Sequence, residues 1–154
     1  MNAHELIARH EGRRLTPYRC PAGARTIGVG WNLDANAPPD DIARHLQAHG
    51  SITDAMADRL LKISVRRAVA DCRVLFPAWD GIDPARRMAL TDFVFQLGFA
   101  RARCFVHAIA AINTRRWDDA ARHLLDSAWA RQTPRRAREV AEIIETGEID
   151  GIDD

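Results

Sequence analysis

Between residues 13 and 35 the chain carries Pro17, Pro21, Gly23, Gly28 and Gly30. Proline fixes φ and lacks an N–H, and glycine frees the backbone for tight turns, so no helix can run through this stretch. What remains are short extended pieces at Pro17–Cys20, Arg25–Val29 and Trp31–Leu33, which predict a small antiparallel sheet. A sheet of that size cannot build a core of its own and has to lean on helices.

Helical spacing surrounds it. Ala3 to His10 presents Leu6 and Ile7 on one face, and Gly12, just after Glu11, suits a helix stop. A polar connection from Asp34 to Gly50 holds a weak helical pattern near Asp40–Gln47. Thr53 is a good N-cap for a long helix from Asp54 to Leu75, in which Leu61, Val65, Ala68, Cys72 and Leu75 recur at helical spacing before Pro77. Asp83-Pro84 starts a helix that is apolar on most sides (Met88, Leu90, Phe93, Val94, Phe95, Leu97), and Gly98 ends it. Further helices are expected near Arg103–Asn113, Asp118–Leu125 and Pro134–Glu145, with Gly147 closing the last. The fold class is therefore α+β. A small N-terminal sheet-containing lobe (12–53) precedes a linking helix (54–76), a larger helical lobe (77–147) that carries the first helix, and an acidic tail (148–154).

With 154 residues, 47% hydrophobic and 28% charged, the chain is an ordinary globular domain. About two-thirds of its unfolded surface can be buried, so no metal or disulfide is needed to hold it together. The three cysteines, Cys20, Cys72 and Cys104, show no CxxC spacing, which argues against a disulfide framework and a zinc site. Cys72 and Cys104 sit in apolar helical patterns and read as core. Net charge is +1, but Arg101–Arg138 holds nine arginines against three aspartates, and Glu139–Asp154 holds seven acids and no base. Scattered arginines with few interleaved aromatics and little excess charge argue against a nucleic-acid binder. The uneven charge reads either as two solvated helix faces that partly neutralise each other or as a basic stretch that steers the protein towards an anionic polymer. No stretch approaches the ~18 apolar residues of a membrane span. The start lacks a leader's basic end and apolar middle, which sets synthesis in a cytoplasm as the expectation.

Glu11, Cys20 and Thr26 form the candidate site. Glu11 closes the first helix, where the negative end of the helix dipole disfavours ionisation, and a desolvating cleft would add to that. A glutamic acid kept protonated can give its proton to a leaving oxygen. A hairpin in the turn-rich stretch can fold Cys20 and Thr26 back towards it. Inverting glycoside cleavage needs an acid on one side of the bond and a base holding water on the other. Thr26 can hold a water through its hydroxyl, whereas a thiol with an ordinary pKa of about 8.5 is mostly neutral at pH 7.

The residues HEG at 10–12, TPY at 16–18 and RTIGVGWNL at 25–33 resemble the bacteriophage lysozyme family, glycoside hydrolase family 24. That family spaces a glutamate, eight residues, an aspartate or sometimes a cysteine, five residues and a threonine, and Glu11, Cys20 and Thr26 meet this spacing. The resemblance continues through RRMALTDFVFQLG at 86–98, Arg116-Trp117-Asp118 with Ala120-Ala121, and WARQTPRR at 129–136, to about Gly147. It implies a lysozyme-like fold and a muramidase that cuts the β-1,4 bond between N-acetylmuramic acid and N-acetylglucosamine in a cleft between the two lobes, with inversion. Carried over, Glu11 is the acid, Cys20 holds the water-activating position and Thr26 assists. Phe95 and Gln96 would line the sugar cleft, and His123 falls where relatives contact substrate. The resemblance implies no metal or organic cofactor, a monomer, and peptidoglycan strands as the partner. The expected setting is a phage endolysin that collects in the host cytoplasm and reaches the periplasmic wall once the membrane is breached. Trp31 stands where many relatives have histidine, and packing is favoured over sugar stacking. A lytic transglycosylase on the same fold and a non-catalytic wall-binding module are the competing readings.

Overall fold

The computed structural model describes residues 1–149; the remainder of the expected acidic tail, residues 150–154, lies outside the described residues. The chain divides into two compact units, His4–Arg66 and Met1–Ala3 with the residues from Arg67 onward. The first carries the sheet and the second is helical, the α+β class expected. Nearly all of the first helix belongs to the sheet unit, and the division falls inside the long helix. Periodicity shows which face of a helix is buried but not against what.

The sheet unit begins with α1 (Ala3–Glu11), whose Leu6 and Ile7 are fully buried. The N–H of Gly12 returns to the Ala8 carbonyl at 2.8 Å, and its φ of +73° takes the chain out of the helix. Three antiparallel strands follow in the order β1 (Arg14–Arg19), β2 (Arg25–Gly28) and β3 (Trp31–Asn32). Pro17 is tolerated because β1 is an edge strand and its pairing shifts register between Arg14 and Tyr18. After α2 (Asp40–His49), Thr53 caps α3 (Asp54–Leu75) by accepting the N–H of Met56 at 3.2 Å. The core of this unit gathers Ile27, Trp31, Ile42, Ile52, Ala57 and Leu60. Trp31 is only 3% exposed and its indole N–H donates to the Asn36 carbonyl at 3.1 Å, so it packs the core and offers no open platform.

In the helical unit a short 3₁₀ turn (Trp79–Gly81) precedes α4 (Pro84–Leu97), α5 (Phe99–Ala102), α6 (Val106–Asn113), α7 (Trp117–Leu125), α8 (Ala128–Gln132) and α9 (Pro134–Thr146). Asp83 caps α4 by accepting the N–H of Arg86, with Pro84 in the first turn as expected. Residues buried all round α4, among them Leu90 and Phe93, make it the centre of the unit, and α9 packs on both α4 and α7. A buried ion pair, Arg136 to Asp92, crosses this core at 2.8 and 3.1 Å. Cys72 is core as expected, and burial pushes its thiol up to about 12. Cys104 is not: it is exposed, its S–H facing the Ala100 carbonyl at 3.4 Å in the turn after α5. Glycine at 98 ends one helix and starts another, so the apolar pattern there is broken into short pieces. No helix of the described residues is long and apolar enough to cross a membrane.

Candidate active site

The β1–β2 hairpin places two of the three expected residues. Cys20 opens the loop: its N–H donates to the Ala24 carbonyl at 3.0 Å and its carbonyl accepts from Gly23 at 2.8 Å. Gly23 supplies the φ of +87° that the turn needs. The Cys20 side chain is half-buried. Burial, the largest influence on the thiol, raises its pKa. The backbone N–H of Ala24, the Thr26 hydroxyl and the backbone N–H groups of Ala22 and Gly23 together outweigh it and hold the thiol below its ordinary value.

Thr26 is buried and its hydroxyl donates to the Ala24 carbonyl at 3.0 Å. That bond fixes the side chain so that the oxygen's lone pairs remain available to a second donor. Directly across the strand pair from Thr26 stands Tyr18. Burial is the main cause that raises the Tyr18 phenol, and the nearby negative charges of Glu11 and Cys20 raise it further, while Arg14 opposes them. The Arg14 guanidinium lies 4.7 Å from the centroid of the Tyr18 ring, in cation–π contact. Tyr18 therefore stands within the electrostatic reach of both Glu11 and Cys20.

Glu11 is half-buried at the end of α1. The backbone of Gly30, in the turn between β2 and β3, approaches it closely. A Cβ on Gly30 would lie 3.2 Å from Glu11 Cδ and Oε2, tighter than an ordinary contact, and the φ of +68° at Gly30 also favours glycine. Arg13 is bonded to the Asp54 carbonyl at 3.0 Å and to the carboxylate of Asp58, both on α3.

The expected sugar-contact residues belong to the helical unit. Phe95 and Gln96 are half-buried near the end of α4, and Gln96 Oε1 accepts the Trp129 indole N–H at 2.7 Å. Trp129 in turn packs edge-on against Phe93 at 5.0 Å, so Gln96 is anchored to an aromatic cluster. His123 is half-buried and stacks on His107 with ring centroids 5.4 Å apart. The sequence reading missed Tyr18 and Gly30 as parts of the site. The one lies in the TPY triplet and the other in the GVG turn, but only strand register and turn geometry bring them to Glu11, Cys20 and Thr26.

A small three-stranded antiparallel sheet near the N-terminus followed by a helical unit, with Glu11 closing α1 beside the hairpin that carries Cys20 and Thr26, is the α+β architecture of a lysozyme-like protein. The Phage lysozyme family model matches residues 8–141, and the chain belongs to that family. Among curated relatives it is 24% identical to the "Probable T4-type lysozyme 2" of Dictyostelium discoideum over 94% of both chains. It is 25% identical to that organism's "Probable T4-type lysozyme 1", again over 94% of both. It is also 30% identical over 97% of its length to the "Pre-baseplate central spike protein Gp5" of Enterobacteria phage T4, of which the match spans 28%. Family membership supports lysozyme activity on peptidoglycan.

Proposed function

We propose that this chain hydrolyses the β-1,4 bond between N-acetylmuramic acid and N-acetylglucosamine in peptidoglycan, with inversion, and that it serves as a phage endolysin. Glu11 gives its proton to the glycosidic oxygen as the bond to the anomeric carbon breaks. A water held by Thr26 attacks that carbon from the opposite face, and its proton passes to the Cys20 thiolate. The leaving oxygen departs as a hydroxyl and the muramic acid gains a free reducing end. Phe95, Gln96 and His123 contact the sugars. The enzyme works as a monomer, without metal or organic cofactor. It is made in the host cytoplasm and acts on the periplasmic wall after the membrane is breached.

The observation that carries this reading is that one compact unit holds Glu11 at the end of α1 together with Cys20 and Thr26 on the adjacent β1–β2 hairpin. Glu11→Gln in a turbidity assay on outer-membrane-permeabilised cells tests the acid, and a lytic rate equal to the parent's rules that assignment out. A second reading, a lytic transglycosylase, is favoured by the absence of a carboxylate at Cys20, since attack by the sugar's own hydroxyl needs no water-activating base there. Mass spectrometry of the fragments separates the two: reducing ends indicate hydrolysis and anhydromuramic ends transglycosylation.

A further inference from the structure

We propose that His45 and His49 form a two-histidine clamp for a divalent transition-metal ion on the last turns of α2, a site separate in sequence from Glu11, Cys20 and Thr26. Residues four apart on a helix lie one turn above the other on the same face. The two imidazole centroids are 4.4 Å apart, with planes tilted by 39°. One continuous backbone fixes that spacing.

The tautomer of His45 follows from its partner. Its Nδ1 lies 3.0 Å from the Ser51 carbonyl oxygen. A carbonyl only accepts, so Nδ1 carries the hydrogen and the lone pair of the neutral ring sits on Nε2. Carbonyl anchoring of this kind orients a ligating histidine. His49 is exposed and is the last residue of α2, which Gly50 ends in the left-handed conformation. Four carbonyls at a helix C-terminus give that turn negative character, which favours a cation.

Two neutral imidazoles suit Zn²⁺, Ni²⁺ or Cu²⁺, and not Mg²⁺ or Ca²⁺, which prefer oxygen. Asp41, one turn before His45, is committed to Arg59 through bonds of 2.6 and 3.2 Å. Among the described residues no group of three histidine, cysteine, aspartate or glutamate side chains could hold a metal ion. The clamp therefore supplies two protein ligands, and water completes the coordination. His107 and His123 also face each other, but from two different helices. An ion at His45 and His49 would staple the end of α2. Ser51 is already held there by His45, and the next N–H, of Ile52, donates to Leu15 in β1 at 2.8 Å. Binding the folded form alone, the ion would raise the stability of the sheet unit.

Titration of the full chain, without a histidine tag, with nickel chloride by calorimetry tests this. The expected result is a site whose affinity falls at least tenfold in His49→Gln and in His45→Gln and is kept in His123→Gln and Cys20→Ser. The melting temperature should rise with nickel in the parent and not in His49→Gln. His49 is exposed, so its variant should stay folded even where His45→Gln loses the Ser51 contact. Equal affinity in His49→Gln and parent, no binding in the parent, or a loss that follows His123→Gln or Cys20→Ser instead would overturn the proposal.

Discussion

Gly30 leaves the space that the Glu11 carboxyl occupies, and it does so in a backbone conformation that few side-chain-bearing residues adopt. Gly30→Ala should strain the backbone by about 1–3 kcal/mol and push on the carboxyl. In the proposed mechanism a displaced acid loses its line to the glycosidic oxygen, and misplacement of about 1 Å can cost roughly a hundredfold. Lysis should fall at least tenfold, while a urea midpoint shows a folded protein. The Cys20 thiol leads to a pH prediction. In the proposed mechanism the thiol works deprotonated, and hydrogen bonds from the hairpin outweigh burial and lower its pKa, so the acidic limb of the rate profile should lie below the ordinary thiol range. Activity then rises as pH rises through that limb. Cys20→Asp should move the limb to still lower pH, and Cys20→Ala should abolish most of the activity. An Ala variant of full activity removes the thiol from the chemistry. The spacing of Glu11, Cys20 and Thr26 stood out through its likeness to the family's pattern, which lies within one short stretch of chain. Tyr18 and Gly30 were not, since one depends on a register shifted within β1 and the other on a close approach that no periodicity encodes.

Elements with strong local signals ran close to their expected spans. For α3 the expected and observed limits coincide, since Thr53 caps its start and Pro77 follows its end. The short α5 and α8 were missed because four or five residues are too few to display a helical period, although Ser127 caps α8 through the N–H of Ala130. Contacts between distant elements are also invisible to local reading, and Arg86 is the clearest case. From the first turns of α4 it donates to the Ile144 carbonyl at 2.6 Å and the Glu145 carbonyl at 2.9 Å, satisfying the end of α9. It also pairs with Asp83 at 2.9 Å and lies 4.3 Å from the centroid of the Trp117 ring. Lysine offers a point charge where this site uses a planar fork and a stacking face. Arg86→Lys should therefore recover little of the stability lost in Arg86→Ala. That loss should be about 2–3 kcal/mol, because two or more charge-assisted hydrogen bonds go with it. Chemical denaturation of both variants measures it, and parent-like stability of Arg86→Lys would sink the idea.

Across the whole molecule, net charge conceals where the charges sit. The basic stretch from Arg101 to Arg138 read as solvated helix faces, and most of its arginines are exposed, but Arg136 is buried with Asp92 beneath it. Nothing in the sequence marks that arginine, because its partner lies forty-four positions earlier on another helix. Desolvating both ions is costly, and their attraction and two hydrogen bonds offset that cost only while both are present. Arg136→Met should thus take its cation away from a buried carboxylate and lower unfolding stability by about 3–5 kcal/mol. Pairing it with Asp92→Leu removes the carboxylate as well and should restore part of that loss, as buried pairs often tolerate joint replacement by apolar residues. Urea unfolding of the parent, both single variants and the double variant gives the coupling directly. If the double variant loses the sum of the two single losses, the pair does not act as a unit. If it recovers, the helical unit rests on apolar packing around α4, and the ion pair serves to match two charges that the fold has enclosed.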